Sequence, residues 1–207
     1  MVDKICEFIL KKMKKEMPDI TKEKEEVITY GLQLILGEIP KTLLLFGISF
    51  LLGFGWYMLF AYIAIMPYRT VSGGFHLHTH LGCFIGSLVF YYGTVLISKF
   101  LILDNLQKYI LIGLGFVFGI LMISMYAPAD TENVPIISKK ERKTKKILSY
   151  IILTITLGIA IFLKDRILSN ILIIGTIIQS LFISRIAYKI TNNKYGHEVY
   201  QEDQVQN

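Results

Sequence analysis

The chain has 207 residues, of which 53% are hydrophobic and 18% charged, and its mean hydropathy is +0.52. A soluble domain of this length carries more charge, about 25%, so the composition indicates a polytopic membrane protein rather than a soluble enzyme. The net charge of +6 does not indicate nucleic-acid binding. Its lysines and arginines cluster between apolar runs, where they set topology and contact lipid headgroups, and no base-reading motif accompanies them.

The first 26 residues predict an amphipathic helix, or a pair of helices, on the membrane surface. Apolar residues recur at helical spacing, with lysines on the opposite face: Ile5, Phe8, Ile9 and Met13. Pro18-Asp19 interrupts this pattern before a second, charged turn begins. A solvated basic tail is the alternative for this segment.

Six apolar segments follow, and each is a candidate for membrane embedding. In chain order they are 27–40, 42–66, 84–103, 109–127, 147–163 and 168–188. Turn residues separate the later segments at Asp104-Asn105 and at Lys164-Asp165-Arg166. Residues 42–66 alone are long enough to cross a bilayer once, since roughly 20 residues suffice.

The distribution of basic residues predicts the topology. A strongly basic loop follows the fourth segment and contains Lys139, Lys140, Arg142, Lys143, Lys145 and Lys146. The N-terminus, this loop and the tail from Lys189 should be cytoplasmic, and counting back two crossings places residues 68–83 on the same side. An even number of crossings must then precede Tyr68. Either 27–40 forms a short first crossing, or the helix breaks near Gly53–Gly55, or one piece is re-entrant with its backbone covered by protein.

We therefore predict an all-α polytopic membrane protein with about six membrane-embedded helices and an N-terminal amphipathic surface helix. The predicted divisions are an interfacial segment over 1–26, one transmembrane catalytic domain over 27–188 and a cytoplasmic tail over 189–207. Gly115 and Gly119, four residues apart, permit close helix approach within the chain or in a homodimer.

Residues 68–83 carry most of the groups capable of chemistry, including three of the four histidines and one of the two cysteines. His76 and Cys83 are seven residues apart, so a helix beginning near the preceding glycines would place both on one face. His80 would share that face and His78 would point away. An imidazole within reach can take the proton of an attacking thiol. The spacing predicts a thiol–imidazole pair, and a small apolar packing role for Cys83 is the alternative.

Ser72-Gly73-Gly74 predicts a sharp turn just before the histidines. Free backbone N–H groups at such a turn would be suitable donors to an oxyanion, although a simple turn before a helix has the same sequence pattern. Arg69 lies between an apolar segment and this turn. It would either reach lipid phosphates or hold a substrate carboxylate.

A metal site competes with this interpretation, because His76, His78, His80 and Cys83 offer up to four zinc ligands. Only three of the four converge on a helix and no paired acid accompanies them, so we predict no metal and no cofactor.

A small transporter or metal-binding membrane protein using the histidine cluster remains the alternative function. Transporters carry polar residues in several membrane segments. Most segments of this chain lack them, and Gln179 and Arg185 are the exceptions.

Two motifs together resemble the AgrB family, the membrane cysteine endopeptidases of Gram-positive quorum sensing. The first is Arg69, Gly74, His76 and Cys83 with their spacing. The second runs from Tyr126 to Thr131 and is followed by Pro135-Ile136 and the basic loop. The resemblance covers most of the chain, and the order and separation of the two motifs make it specific.

The resemblance implies that Cys83 is the nucleophile and His76 its general base. An AgrD-type propeptide would be cut on its C-terminal side through an acyl-enzyme thioester. A side chain of the propeptide would then attack the thioester, closing a thiolactone or lactone ring, and the acidic tail would be released. Arg69 and Gly74, with the neighbouring Gly73, match positions that the family needs near the site.

Other residues and partners follow from the resemblance less directly. His78 and His80 receive no role from it, and Asp130 is a candidate to orient His76. The expected partners are the propeptide and membrane lipids. The expected location is the cell membrane, with the active site and both termini on the cytoplasmic side.

Overall fold

The computed structural model describes residues 2–16, 21–77, 79–132 and 134–199. All regular elements in these ranges are helices, which confirms the all-α class. They are α1 Val2–Glu16, α2 Lys22–Leu51, α3 Gly55–Ser72, α4 His80–Phe100, α5 Asn105–Tyr126, α6 Lys139–Phe162, α7 Arg166–Phe182 and α8 Arg185–Ile190. Helices α4 to α7 correspond to the last four predicted apolar segments, whereas α2 and α3 divide the residues of the first two segments at a different place.

Two compact units divide the chain, Met1–Gly55 and Trp56–Asn207. In the first unit, α1 packs against α2. The buried residues of α1 include Cys6 and Leu10, whereas Phe8, predicted for the apolar face, is exposed. The helix predicted for this segment is confirmed, and Pro18 and Asp19 lie outside the described residues.

The first long helix continues through the sequence that had suggested an interruption. α2 remains helical over residues 37–41, including Pro40. The chain breaks instead after Leu51, where Gly53 adopts φ +77°, a conformation that glycine tolerates without steric cost. The predicted helix break near Gly53–Gly55 is therefore observed, and the number of crossings before Tyr68 stays a prediction.

Three helices among the described residues are long and apolar enough to cross a membrane: Leu81–Phe100, Asn105–Tyr126 and Lys139–Phe162. Ile39–Leu51 and Arg166–Phe182 are shorter apolar helices. These lengths are compatible with a membrane protein, as the composition predicted.

Two predicted boundaries were wrong. Residues 139–146 do not form a loop, because Ser138 caps α6 and the basic residues occupy its first turns. The last apolar segment ends at Phe182 rather than at residue 188, because Ser184 caps a new helix, α8, that contains Arg185. The predicted division at residue 188 thus falls inside α8, and the domain limits stay predictions.

The predicted turns between the later helices are helix caps. Asp104 and Gln107 form a capping box at the start of α5, and Asp165 caps α7. Lys108 donates to the Leu163 carbonyl at 3.0 Å, and Asn170 donates to the Leu101 carbonyl at 2.9 Å. These side chains therefore satisfy carbonyl groups that follow the ends of α6 and α4.

In the second unit, α7 packs against α4, α5 and α6. Glycines permit close packing of these helices: a Cβ on Gly115 would lie 3.2 Å from Ile177, and one on Gly119 would lie 2.8 Å from Leu153. The four-residue glycine spacing of α5 is therefore used within the chain. The two glycines therefore do not support the predicted homodimer, which stays a prediction.

Candidate active site

The glycine turn after α3 has the sharp geometry that the sequence predicted. Gly73 has φ +77° and Gly74 has φ +142°, values that side-chain-bearing residues rarely adopt. A Cβ on Gly73 would also come within 2.8 Å of the Ala129 carbonyl carbon. Gly73 is therefore required both for its backbone conformation and for the close approach of a second segment.

That second segment joins the two sequence motifs through backbone hydrogen bonds. The Gly74 N–H donates to the Ala129 carbonyl at 2.9 Å, and the Ala129 N–H donates to the Ser72 carbonyl at 2.8 Å. The Gly73 N–H donates to the Arg69 carbonyl, also at 2.9 Å. The expectation that these glycine amides are free oxyanion donors is thus wrong, because both already donate within the protein.

Gln179 of α7 holds the same turn from the other side. Its side chain is fully buried, and its Nε2 donates to the Gly73 carbonyl at 2.8 Å and to Ser72 Oγ at 3.0 Å. Its Oε1 accepts from Arg69 Nη1 at 3.2 Å. The sequence had marked Gln179 only as a polar exception in an apolar segment.

Arg69 is directed inward rather than toward lipid phosphates. Besides Gln179, its guanidinium donates to the Phe75 carbonyl at 3.3 Å and lies 5.8 Å from the centre of the Phe182 ring. The stacked aromatic face and the two hydrogen bonds fix the planar guanidinium. The lipid-facing alternative for this arginine is therefore not the arrangement observed.

His76 and Cys83 do not share a helix, so the spacing argument that paired them was wrong. His76 lies in an irregular segment, and α4 begins only at His80, where Thr79 Oγ1 accepts from the Gly82 N–H at 3.0 Å. Cys83 follows in the first turn of α4, and its N–H donates to the Thr79 carbonyl at 2.9 Å.

Both residues nevertheless line one cavity of about 380 Å³. Arg69 shares its lining, and most of the remaining wall is apolar, including Phe75, Phe90 and Phe182, Leu77, Ile85 and Val89. Among the described residues, no hydrogen bond joins the Cys83 thiol to the His76 imidazole. The cavity thus gathers a thiol, an imidazole and a guanidinium inside an apolar wall.

Leu77 explains how the irregular segment is held over α4. A Cβ on Gly86 would lie 3.1 Å from Leu77 Cδ1, and one on Gly82 would lie 3.4 Å from Leu77 Cβ. The two glycines, one helical turn apart, leave room for this leucine on the helix surface. His76, the residue before it, is exposed at the cavity.

The family comparison agrees with the two motifs. The model of the family AgrB, Accessory gene regulator B, matches residues 6–183. The chain belongs to the AgrB family. Membership gives it a role in accessory-gene-regulator quorum sensing, in which the family is involved with an AgrD-related peptide.

Individual AgrB relatives match along most of their length. A putative AgrB-like protein of Listeria welshimeri is 30% identical over 176 residues, which cover 84% of each chain. Accessory gene regulator protein B of Staphylococcus haemolyticus is 27% identical over 171 residues, 80% of this chain and 85% of the relative. The Staphylococcus epidermidis protein of the same name is 25% identical over 170 residues, 82% of this chain and 84% of the relative. No solved structure matches the chain.

Asp130, in the second AgrB-like motif, orients a histidine other than the one predicted. Its buried carboxylate is hydrogen-bonded to His197 Nδ1 at 2.7 Å, accepts from the Ile136 N–H at 2.9 Å and pairs with Arg142 Nη1 at 3.2 Å. These partners come from three places: Ile136 precedes α6, Arg142 lies in α6, and His197 follows α8. Asp130 therefore fixes those segments, and His76 is not among its partners.

Residues 184–199, which we call the C-terminal clasp, support the second motif. The Tyr188 hydroxyl donates to the Ala129 carbonyl at 2.9 Å and to the Asp130 carbonyl at 3.0 Å. Tyr195 stacks on Tyr188 with ring centres 4.2 Å apart, and its hydroxyl donates to the Ile183 carbonyl. Burial raises the pKa of both phenols, so they remain protonated hydrogen-bond donors.

The clasp lies beyond the residues that match the AgrB family model, and the sequence had assigned most of it to a polar tail. Sequence reasoning missed its tyrosines because aromatic residues in a polar segment indicate no particular partner. Two polar residues had stood out in the last apolar segment of the sequence, and both have local roles here. Gln179 holds the glycine turn, and Arg185 pairs with Glu198. Neither residue now favours transport.

The structure gathers no group of three or more potential metal ligands within the part of the chain it describes. His78 lies outside the described residues, as does the side chain of His80. The zinc alternative for the histidine cluster therefore rests on the sequence pattern alone.

Proposed function

We propose that this AgrB-family chain is a membrane cysteine endopeptidase that releases the C-terminal tail of an AgrD-type propeptide and cyclises the remaining peptide. The observation that carries the proposal is the shared cavity of Cys83, His76 and Arg69. A thiol near a helix start and an imidazole in the same cavity lining are the two groups that nucleophilic acyl transfer requires.

In the proposed reaction, His76 takes the thiol proton of Cys83 while the sulfur attacks the scissile carbonyl carbon. The tetrahedral intermediate collapses, the C–N bond breaks, and His76 returns the proton to the leaving amine of the tail. The product is a thioester between the peptide and Cys83. A thiol or hydroxyl of the same peptide then attacks this carbonyl, which frees the Cys83 thiol and closes the ring.

Cyclisation must outcompete hydrolysis of the thioester, and the apolar cavity wall supports this. Phe75, Phe90 and Phe182 contribute to a mostly apolar wall, and such a wall disfavours water near the thioester. A peptide nucleophile held on the same chain attacks at a high effective concentration, reaching about 10⁵ M or more in well-oriented cases. Arg69 is available to bind an acidic or carbonyl group of the substrate.

The active site is proposed to face the cytoplasm, with both termini on the same side. The basic first turns of α6 support this topology through the positive-inside rule. A single cysteine introduced at Lys143 in a cysteine-free background should react with an impermeant maleimide only after the cells are opened. One introduced at Asn105 should react in intact cells, and the reverse pattern would refute the topology.

The decisive experiment is co-expression of the chain with its AgrD-type propeptide, with tail release followed by mass spectrometry. Cys83→Ala should abolish release and His76→Ala should nearly abolish it, because the nucleophile and its base are removed. Cys83→Ser should also lose nearly all activity, since a serine hydroxyl is far less acidic than a thiol. Cys6→Ala, which removes the other cysteine, is the matched control and should cleave normally. Tail release by Cys83→Ala would refute the assignment.

A further inference from the structure

Among the described residues, the buried amide of Gln179 makes its hydrogen bonds to Arg69 and to the glycine turn. Its side chain is fully buried on α7, a helix made mostly of apolar residues. Burying an amide in apolar surroundings is costly unless its donors and acceptor are satisfied. Here its partners are Arg69, Ser72 and Gly73.

We propose that Gln179 is a positioning residue for His76 and Arg69. The effect of this positioning on catalysis rests on the proposed function. Gln179 itself lies outside the lining of the cavity. It would act by fixing the two ends of the segment that carries the imidazole.

Two hydrogen-bonded connections lead from Gln179 to His76. In the first, Oε1 accepts from Arg69 Nη1, and Arg69 Nη2 donates to the carbonyl of Phe75, the residue before His76. In the second, Nε2 donates to the Gly73 carbonyl, three residues before His76. One amide thus restrains both the beginning and the end of the segment 73–75.

The chemistry of this position fits glutamine and few other side chains. The arginine requires an acceptor, while the Gly73 carbonyl and Ser72 Oγ receive the two amide hydrogens. Glutamate would keep the acceptor but lose both donors. Methionine would match the length and lose all three bonds.

The test compares Gln179→Met and Gln179→Glu with Thr176→Val as the matched control. Thr176 is buried one turn earlier on α7, and its hydroxyl donates to the Leu172 carbonyl of its own helix. All variants carry Cys6→Ala, so that Cys83 is the single thiol. The measurements are kcat and KM for tail release, the melting temperature, and the pH profile of Cys83 alkylation by iodoacetamide.

Gln179→Met should lower kcat by roughly 10- to 100-fold, the scale expected when a catalytic group is displaced by about 1 Å. Gln179→Glu should lower it about tenfold, because the Arg69 contact remains. The alkylation profile of Gln179→Met should shift toward that of His76→Ala. In a His76→Ala background, Gln179→Met should cause no further shift, because displacing an absent imidazole has no effect. Thr176→Val should match its parent in both assays.

Three results would overturn the positioning role. The first is that both Gln179 variants keep the kcat and the alkylation profile of their parent. The second is that Gln179→Met shifts the alkylation profile in the His76→Ala background as much as it does when His76 is present. The third is that Thr176→Val shows the same losses together with a lower melting temperature. Failure of the proposed function is a separate result, namely continued tail release by Cys83→Ala. In that case the alkylation profiles still decide whether Gln179 positions His76 against Cys83.

Discussion

Replacing Gly73 with alanine tests whether the backbone pairing of the two motifs holds the candidate site together. The new Cβ would come within 2.8 Å of the Ala129 carbonyl carbon. Because that atom belongs to the backbone, side-chain rotation cannot relieve the overlap. The turn and the second motif must therefore separate in the variant.

The magnitude follows from the groups that this separation disturbs. A left-handed backbone conformation costs a residue with a Cβ about 1–2 kcal/mol. The hydrogen bonds from Gly74 N–H to Ala129 and from Ala129 N–H to Ser72 would be lost, at about 1 kcal/mol each. We expect a loss of about 3–4 kcal/mol, which lowers the melting temperature by roughly 10 °C in a protein of this size.

The assay is thermal unfolding of the purified protein in detergent, together with tail release in membranes. Gly93→Ala is the matched control, because a Cβ on that α4 residue would meet open space. Gly73→Ala should lose both stability and tail release, while Gly93→Ala should retain both. Equal melting temperatures for the two variants would refute the pairing between the motifs.

Two further substitutions test the surroundings of the site. Tyr188→Phe removes the hydroxyl that donates to the Ala129 carbonyl, and it should cost about 1–3 kcal/mol in thermal unfolding. An unchanged melting temperature would contradict the role of the clasp. Gly175→Val should cost about 1–3 kcal/mol through overpacking, because a Cβ there already overlaps a side chain of α3. Gly158→Val, where a Cβ has open space, is its control, and equal stability of the pair would show that α7 is not packed closely on α3.

Apolar runs and turn residues predicted the helices of this chain well, because each carries its own signal. Runs of about 20 apolar residues mark membrane helices, and Asp104 and Asp165 cap the helices that follow them. The basic residues at 139–146 were misassigned to a loop, since charge sets topology without preventing a helix. Their backbone is helical because Ser138 caps α6.

Arg69, His76 and Cys83, which the sequence singled out, line one cavity, but their catalytic roles stay predictions and their geometry was not predictable. Sequence spacing placed His76 and Cys83 on one helix, yet the Thr79 cap starts α4 after His76. The two residues line one cavity instead because the turn, with the irregular segment that follows it, folds over α4. The contacts of Gln179 with the turn join positions 106 and 107 residues apart, and no local pattern reports such a pairing.

The C-terminal clasp affects how reporter fusions to this chain should be designed. A reporter joined directly after residue 183 would delete Tyr188 and His197, and with them the hydrogen bonds to Ala129 and Asp130. Such a fusion would report the membrane orientation of a protein that has lost these hydrogen bonds to the segment paired with the glycine turn. Reporters inserted after Val199 would keep these bonds, so orientation and peptide processing can be measured on the same molecule.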